Sequence, residues 1–225
     1  MRLTFRLAIL VFLVVPLVGL VVPSMGLSQS YAVNSPFNAM TYKPLDGQER
    51  WQRWLREDGG SPSIHLNSFV IASVTQSMND PPQWGRTTGG FARRLGSNYG
   101  RFLIGNSTHE SLAGAAGTDP RYFPCACTGL FRRSGHALEM TVLTYSRSGH
   151  KTLDIPQLSG AYGGAMIGTF WFPHHYSPLV QGVQVGHLDM ALIGTIHMVQ
   201  EFSPELHRFF HVGEKADRAA QGGDQ

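Results

Sequence analysis

Apolar residues recur along this chain mostly at three- and four-residue spacing, and clusters of Pro and Gly cut that pattern into helix-sized segments. Trp51, Trp54 and Leu55 fall at i, i+3 and i+4, which predicts a short helix over 46–57 with those three side chains on one face; Asp58-Gly59-Gly60 stops it. Ser61-Pro62 has the form of a cap followed by Pro at the first helical position and opens a helix over 63–78. Asn79-Asp80-Pro81-Pro82 closes that helix, and 83–90 reads as loop. A long helix is predicted over 91–117, with Gly96, Gly100, Ser107, Ser111 and Gly114 within one small-residue stripe. Asp119-Pro120-Arg121-Tyr122-Phe123-Pro124 is a rigid turn, because each Pro fixes its own φ and biases the residue before it away from helix. Further helices are predicted over 130–145, 156–171 and 177–202, with 146–154 as polar loop. No strand ladder is expected, since β-branched runs such as Phe69-Val70-Ile71 sit inside helical periodicity. The expected fold is all-α, a compact bundle of about five to six helices with Gly-rich helix-helix contacts.

Glycine placement sharpens that picture. Gly160, Gly164 and Gly168 recur every fourth residue, and Gly182 and Gly186 repeat the spacing on the last helix. An interior helical Gly costs roughly 1 kcal/mol relative to Ala, so packing must offset five of them. These five positions are the predicted helix-packing residues, where bare backbone lets helices approach closely. Asp189 shares the stripe of Gly182 and Gly186, a face expected to be buried, so it needs a cationic partner; Arg93, Arg94, Arg132 and Arg133 are the candidates.

Arg2 and Arg6 precede an uncharged apolar run over 7–22, followed by small and polar residues that include Ser30-Tyr31-Ala32. This is the layout of a signal peptide. The expected organisation is a signal peptide over 1–32, an extended lead-in over 33–44, a single helical domain over 45–210 and a flexible tail over 211–225. The expected location is the periplasm or outer envelope, with membrane association allowed. Without Arg2 and Arg6 the formal net charge of +3 nearly vanishes. No dense basic stripe with interleaved aromatics remains, and no nucleic-acid partner is expected.

The motifs for chemistry fail one by one. His109-Glu110 lacks the second His of a zinc-protease helix, because Ala113 stands there. The glycine-rich stretch 85–100 has neither the Lys-Ser/Thr of a P-loop nor dinucleotide spacing, and no G-x-S-x-G elbow occurs. Ten histidines raise a metal reading at His174, His175, His187 and His197 beside Asp189, but they lack recognised ligand spacing, so no metal and no cofactor is expected. Cys125 and Cys127 flank Ala126 and are the one possible intramolecular disulfide; unpaired thiols are the alternative. If a pocket exists, Glu110, Arg121, His136, His187 and Asp189 are its candidate lining.

The order Trp84-Gly85, Gly89-Gly90-Phe91, the Asp119 to Phe123 block (D-P-R-Y-F), Trp171-Phe172-Pro173 and Glu201-Phe202-Ser203-Pro204 resembles a group of uncharacterised exported bacterial cell-envelope proteins. The resemblance covers about 45–204 and implies envelope location and a shared fold, with no activity attached. The functional expectation is a non-catalytic helical scaffold or interaction module at the periplasm or membrane surface, whose partner is a membrane surface, another envelope protein or a second copy. The alternative is a small-molecule- or metal-binding protein, or a hydrolase, with a polar pocket between helices.

Overall fold

Side-chain caps open three of the six described α-helices in the computed structural model, which describes residues 36–59, 62–173 and 176–206. The Asp46 carboxylate accepts the Glu49 N–H at 2.8 Å while Glu49 accepts the Asp46 N–H at 2.9 Å, a reciprocal pair that opens α1 (Gly47–Trp54). A π turn over Leu55–Gly59 follows, then α2 (Pro62–Met78) and a 3-10 turn over Pro82–Trp84. The long α3 (Thr88–Ala116) begins three residues earlier than apolar spacing predicts, because the Thr87 hydroxyl accepts the Gly90 N–H and caps it; it ends where Gly117 adopts φ 70°. After β1 (Thr118–Asp119) come α4 (Leu130–Glu139), β2 (Leu143–Ser146) and β3 (Lys151–Leu153). Asp154 caps α5 (Ile155–Gly168) through the Gln157 N–H at 2.9 Å; a 3-10 turn over Thr169–Trp171 and α6 (Pro178–Glu201) complete the order. The predicted signal segment and tail, Ser61, and the His174-His175 pair lie outside the described residues.

The helices make an all-α bundle in which α3 is flanked by α2 and α5, α6 lies on α5, and α4 lies on α6. Backbone touches backbone at the α3–α5 crossing. A Cβ added at Gly160 would lie 2.5 Å from the Gly105 carbonyl oxygen, and one at Gly164 would lie 2.8 Å from Gly105 Cα and 3.2 Å from the Arg101 carbonyl. At Gly168 the neighbour is the Arg101 side chain, 3.3 Å away. The α5–α6 contact differs in kind: the spaces above Gly182 and Gly186 are filled by the side chains of Met166 and Tyr162. The small-residue stripe predicted on α3 does not make these contacts. A Cβ at Gly96 would meet open space and one at Gly100 would come no nearer than 4.0 Å to Trp171, whereas Gly105, outside that stripe, sits against α5. Helical period identifies a face, but two straight rods touch at one crossing, and its position is set by tertiary geometry.

Three expectations are corrected. The helix predicted over 130–145 ends at Glu139, and the chain turns into a three-stranded antiparallel sheet of order β1-β2-β3, with Asp119 opposite Tyr145 and Thr144 opposite Thr152. The strands win because Tyr145 gains an aromatic cluster there: it stacks on Phe37 with centroids 3.7 Å apart and meets Phe123 edge-on, and Met140 and Tyr122 complete the buried group. The lead-in is therefore fastened to the sheet through Phe37 and Tyr42. Trp51 and Trp54 do lie together, their rings stacked with centroids 5.1 Å apart; Trp51 and Leu55 are exposed, and Trp54 donates its indole N–H to Ser107 at 3.1 Å.

The Asp-Pro-Arg-Tyr-Phe block is the junction of sheet, lead-in and bundle. Asp119, 1% exposed, accepts from Arg121 Nε and Nη2 at 2.9 and 2.6 Å and from the Tyr42 hydroxyl at 2.9 Å. Thr144 donates to the Asp119 carbonyl, Tyr122 reaches Glu201 at the end of α6, and Phe123 enters the aromatic core.

Candidate functional site

Chemistry concentrates where the last residue of α6 meets the two-cysteine loop. Glu201 has no exposed side-chain surface. A buried carboxylate is costly unless its lone pairs are used, and here several donors converge on it. The Tyr122 hydroxyl donates to Oε2 at 2.5 Å, the Cys125 N–H lies 3.2 and 3.0 Å from the two oxygens, and Arg133 Nε donates to Oε1 at 3.1 Å. Arg133 also donates to the Glu201 carbonyl, binds Glu205 at 2.5 Å and lies over the Phe202 ring, 4.3 Å from its centroid. One guanidinium on α4 thus fastens the end of α6 by charge, hydrogen bonds and ring contact.

Two histidines border this carboxylate. His136 Nδ1 stands 3.6 Å from Glu201 Oε2 and 3.5 Å from the Tyr122 hydroxyl. Burial lowers its pKa, opposed by the charge of Glu201. His197 stacks on Tyr122 with centroids 4.5 Å apart, and burial pushes its imidazole down to about 4. Burial first, then the bond to Glu201, raises the Tyr122 phenol far above its ordinary range, so it stays a proton donor. Cys125 and Cys127 are joined by a disulfide, and the Cys127 N–H points back at Cys125 Sγ, 3.1 Å away. The sulfur of Cys125, a ring nitrogen of His136 and a Glu201 oxygen all lie within 4.8 Å of one another.

The sequence-predicted site residues do not assemble around one cavity. Glu110 is buried against Arg53, which also binds Glu57 at 2.8 Å. Arg121 serves Asp119, and His187 is exposed on α6, its Nδ1 2.7 Å from the Val183 carbonyl and its ring edge-on to Tyr162. Asp189 takes both of its bonds from Arg101 Nη1, at 2.9 and 2.7 Å. That partner belongs to none of the arginines expected from sequence. Arg94, 1% exposed, instead donates to the carbonyls of Asp80, Pro81 and Gly85 and to the Gln76 side chain, holding the turn before α3; Arg133 holds Glu201; Arg93 and Arg132 are exposed. Of the predicted pocket residues only His136 lies at the Glu201 cluster, and Glu201 itself was missed. Its signal in sequence was faint: an acidic residue at a helix end before Ser-Pro, with nothing to distinguish it from a solvated one.

A second buried polar pair sits at the α3–α5 crossing, where His109 Nε2 lies 3.9 Å from Asp154 Oδ1. Burial above all, with Arg53 and His197 nearby, pushes His109 down to about 3, and burial pushes the Asp154 carboxyl up to about 6. The imidazole is therefore neutral at ordinary pH and acts as a packing group.

No family model, curated protein or solved structure matches this chain.

Proposed function

We propose that this chain is a non-catalytic helical module of the cell envelope that rests on a membrane surface through the tip of the α5–α6 hairpin. The observation that carries the reading is an uncharged, apolar tip. Between Asp154 and Asp189 the sequence has no Lys, Arg, Asp or Glu. At the turn end of the hairpin, Phe170 is 75% exposed and Leu179 64% exposed, with Ile167, Trp171, Val180 and Val183 also exposed beside them. The seating of Met166 over Gly182 brings the two helices together there, so these side chains fall at one end of one unit. The tip is braced from behind: Trp171 donates its indole N–H to Ser97 at 2.8 Å, and Phe172 packs edge-on to Trp84. Apolar and aromatic side chains on a rigid, charge-free tip suit the boundary between headgroups and acyl chains. Among the described residues no helix is long and apolar enough to cross a membrane, which favours surface contact over spanning. The separate pairing of Glu110, Arg121 and Asp189 with their own partners supports a structural use of those charges over a shared pocket.

Vesicle flotation tests the reading. The chain should float with phosphatidylcholine vesicles in high salt as well as low, because the tip segment has no Lys, Arg, Asp or Glu whose attraction salt would screen. Phe170→Ser and Leu179→Ser should each weaken binding about tenfold or more, the loss expected when one large apolar side chain no longer enters the lipid. The chain used for flotation starts after the predicted signal segment 1–32, whose apolar run would otherwise bind lipid by itself and mask the loss. Release of the wild type by salt, or flotation of both variants equal to that of the wild type, would refute the proposal.

A further inference from the structure

We infer that the Glu201 cluster is a zinc site closed by the Cys125–Cys127 disulfide and opened by its reduction, with Cys125, Cys127, His136 and Glu201 as the four ligands. Three of the donor atoms, from Cys125, His136 and Glu201, already lie within 4.8 Å of one another. A tetrahedral zinc with bonds of about 2.0–2.3 Å needs its donors roughly 3.5 Å apart, so side-chain adjustment suffices. Cys127 supplies the fourth donor, because its sulfur is bonded to that of Cys125 in the oxidised chain and stays on the same short loop once released. Thiolates bind metal, whereas disulfide sulfurs are poor ligands, and this difference makes the disulfide the gate. Two sulfurs, an imidazole nitrogen and a carboxylate oxygen form a set that suits zinc over magnesium or calcium.

The surroundings are those of a supported ligand set. The Tyr122 hydroxyl donates to Glu201 Oε2 and fixes the carboxylate, and His197 packs against the Tyr122 ring. Arg133 has a second carboxylate in Glu205, 2.5 Å away, and a bond to the Glu201 carbonyl, so it keeps partners when the Glu201 side chain turns to a metal. The chemistry balances in two steps. A dithiol reductant passes two electrons and two protons to the Cys125–Cys127 bond, which breaks to give two thiols while the reductant closes its own disulfide. Zinc then binds both sulfurs as thiolates and releases those two protons.

Cobalt titration of the reduced chain tests this, because thiolate-to-cobalt charge-transfer absorption reports sulfur ligation and ignores the other histidines. The reduced chain should develop that absorption stoichiometrically and lose it when zinc is added, and the oxidised chain should show none. Cys125→Ser should abolish it. Glu201→Gln puts an amide where Tyr122, the Cys125 N–H and Arg133 all donate to a buried carboxylate, which endangers folding. His136→Gln is therefore the second variant: zinc affinity should fall about tenfold or more, with the helical circular dichroism unchanged. Absence of charge-transfer absorption from the reduced wild type, or unaltered zinc affinity in His136→Gln, would overturn the inference.

Discussion

Adding one methyl group at Gly164 tests whether close backbone contact holds this bundle together. The new carbon would meet Gly105 Cα at 2.8 Å, Gly105 N at 3.0 Å and the Arg101 carbonyl at 3.2 Å, all main-chain atoms of α3 that cannot swing aside. Restoring ordinary contact near ~3.5 Å requires α3 and α5 to part by roughly 0.5–1 Å, and a gap of that size forfeits about a quarter to a half of the attraction between the atoms that separate. Overpacking of this kind costs about 1–3 kcal/mol, and the better helix propensity of Ala returns about 1 kcal/mol. Gly164→Ala should therefore lose up to about 2 kcal/mol, a fall of up to roughly 8 °C in melting temperature for a domain of this size. Gly163 is the internal control: it is the preceding residue on the same helix, and a Cβ there meets nothing within 4 Å. Gly163→Ala should gain about 0.5–1 kcal/mol from propensity alone. Urea denaturation followed by circular dichroism on the wild type and both variants measures the opposite signs. A Gly164→Ala protein as stable as Gly163→Ala would refute the argument, because the two differ only in what their methyl groups touch.

Acid should weaken the fold in a defined window. Unfolded histidines titrate near ~6.5, whereas burial holds His109 at about 3 and His197 at about 4, so from there down to about pH 4 the unfolded chain carries about two extra protons at these residues. Asp154 opposes this: its raised carboxyl, at about 6, binds about one extra proton in the folded chain, and the stability it contributes at low pH is lost as pH rises through that value. Over these three groups the net excess is about one proton on the unfolded side; burial lowers His136, which adds to it, and raises Asp189, which opposes it. Stability should therefore fall on acidification from about pH 6 to about pH 4 with a slope on the order of 1.4 kcal/mol per pH unit. A urea midpoint that is flat or rises over that acidification contradicts the assignment. At the α3–α6 contact, Arg101→Met leaves Asp189 as a buried charge without its cation and should cost about 3–5 kcal/mol, toward the lower end because both side chains keep slight exposure. Adding Asp189→Asn should recover much of that loss; a double variant no more stable than Arg101→Met would show that the pair is not what the arginine contributes.

Local rules were legible in the sequence wherever a short-range cause sufficed. The Pro and Gly breaks bounded the helices, and the four-residue glycine spacing marked α5 and α6 as helices with a bare stripe. Two cysteines separated by a single residue on one loop marked the sulfur pair. Failures came where a distant residue decided the outcome. Residues 143–145 leave the expected helix, and 151–153 the expected loop, for strands, because Asp119 and Phe37 offer Tyr145 and Thr144 better partners, and neither lies within a helical window of them. Arg101 was passed over for Asp189, although both residues stood in plain view, because only the packing of α3 on α5 and α6 sets which cation meets that carboxylate.

Sequence by itself determined the helical class, the approximate place of most helices and the presence of faces without side chains, since these follow from backbone propensity and periodicity over a few turns. Tertiary structure alone decided which glycine on α3 touches α5, which arginine neutralises which acid, and that Glu201, 76 residues from Cys125, closes over the cysteine loop. The physical reason is that burial, and with it the cost of a charge or the space for a methyl group, is a property of a point in three dimensions, to which periodicity along one helix gives only a direction.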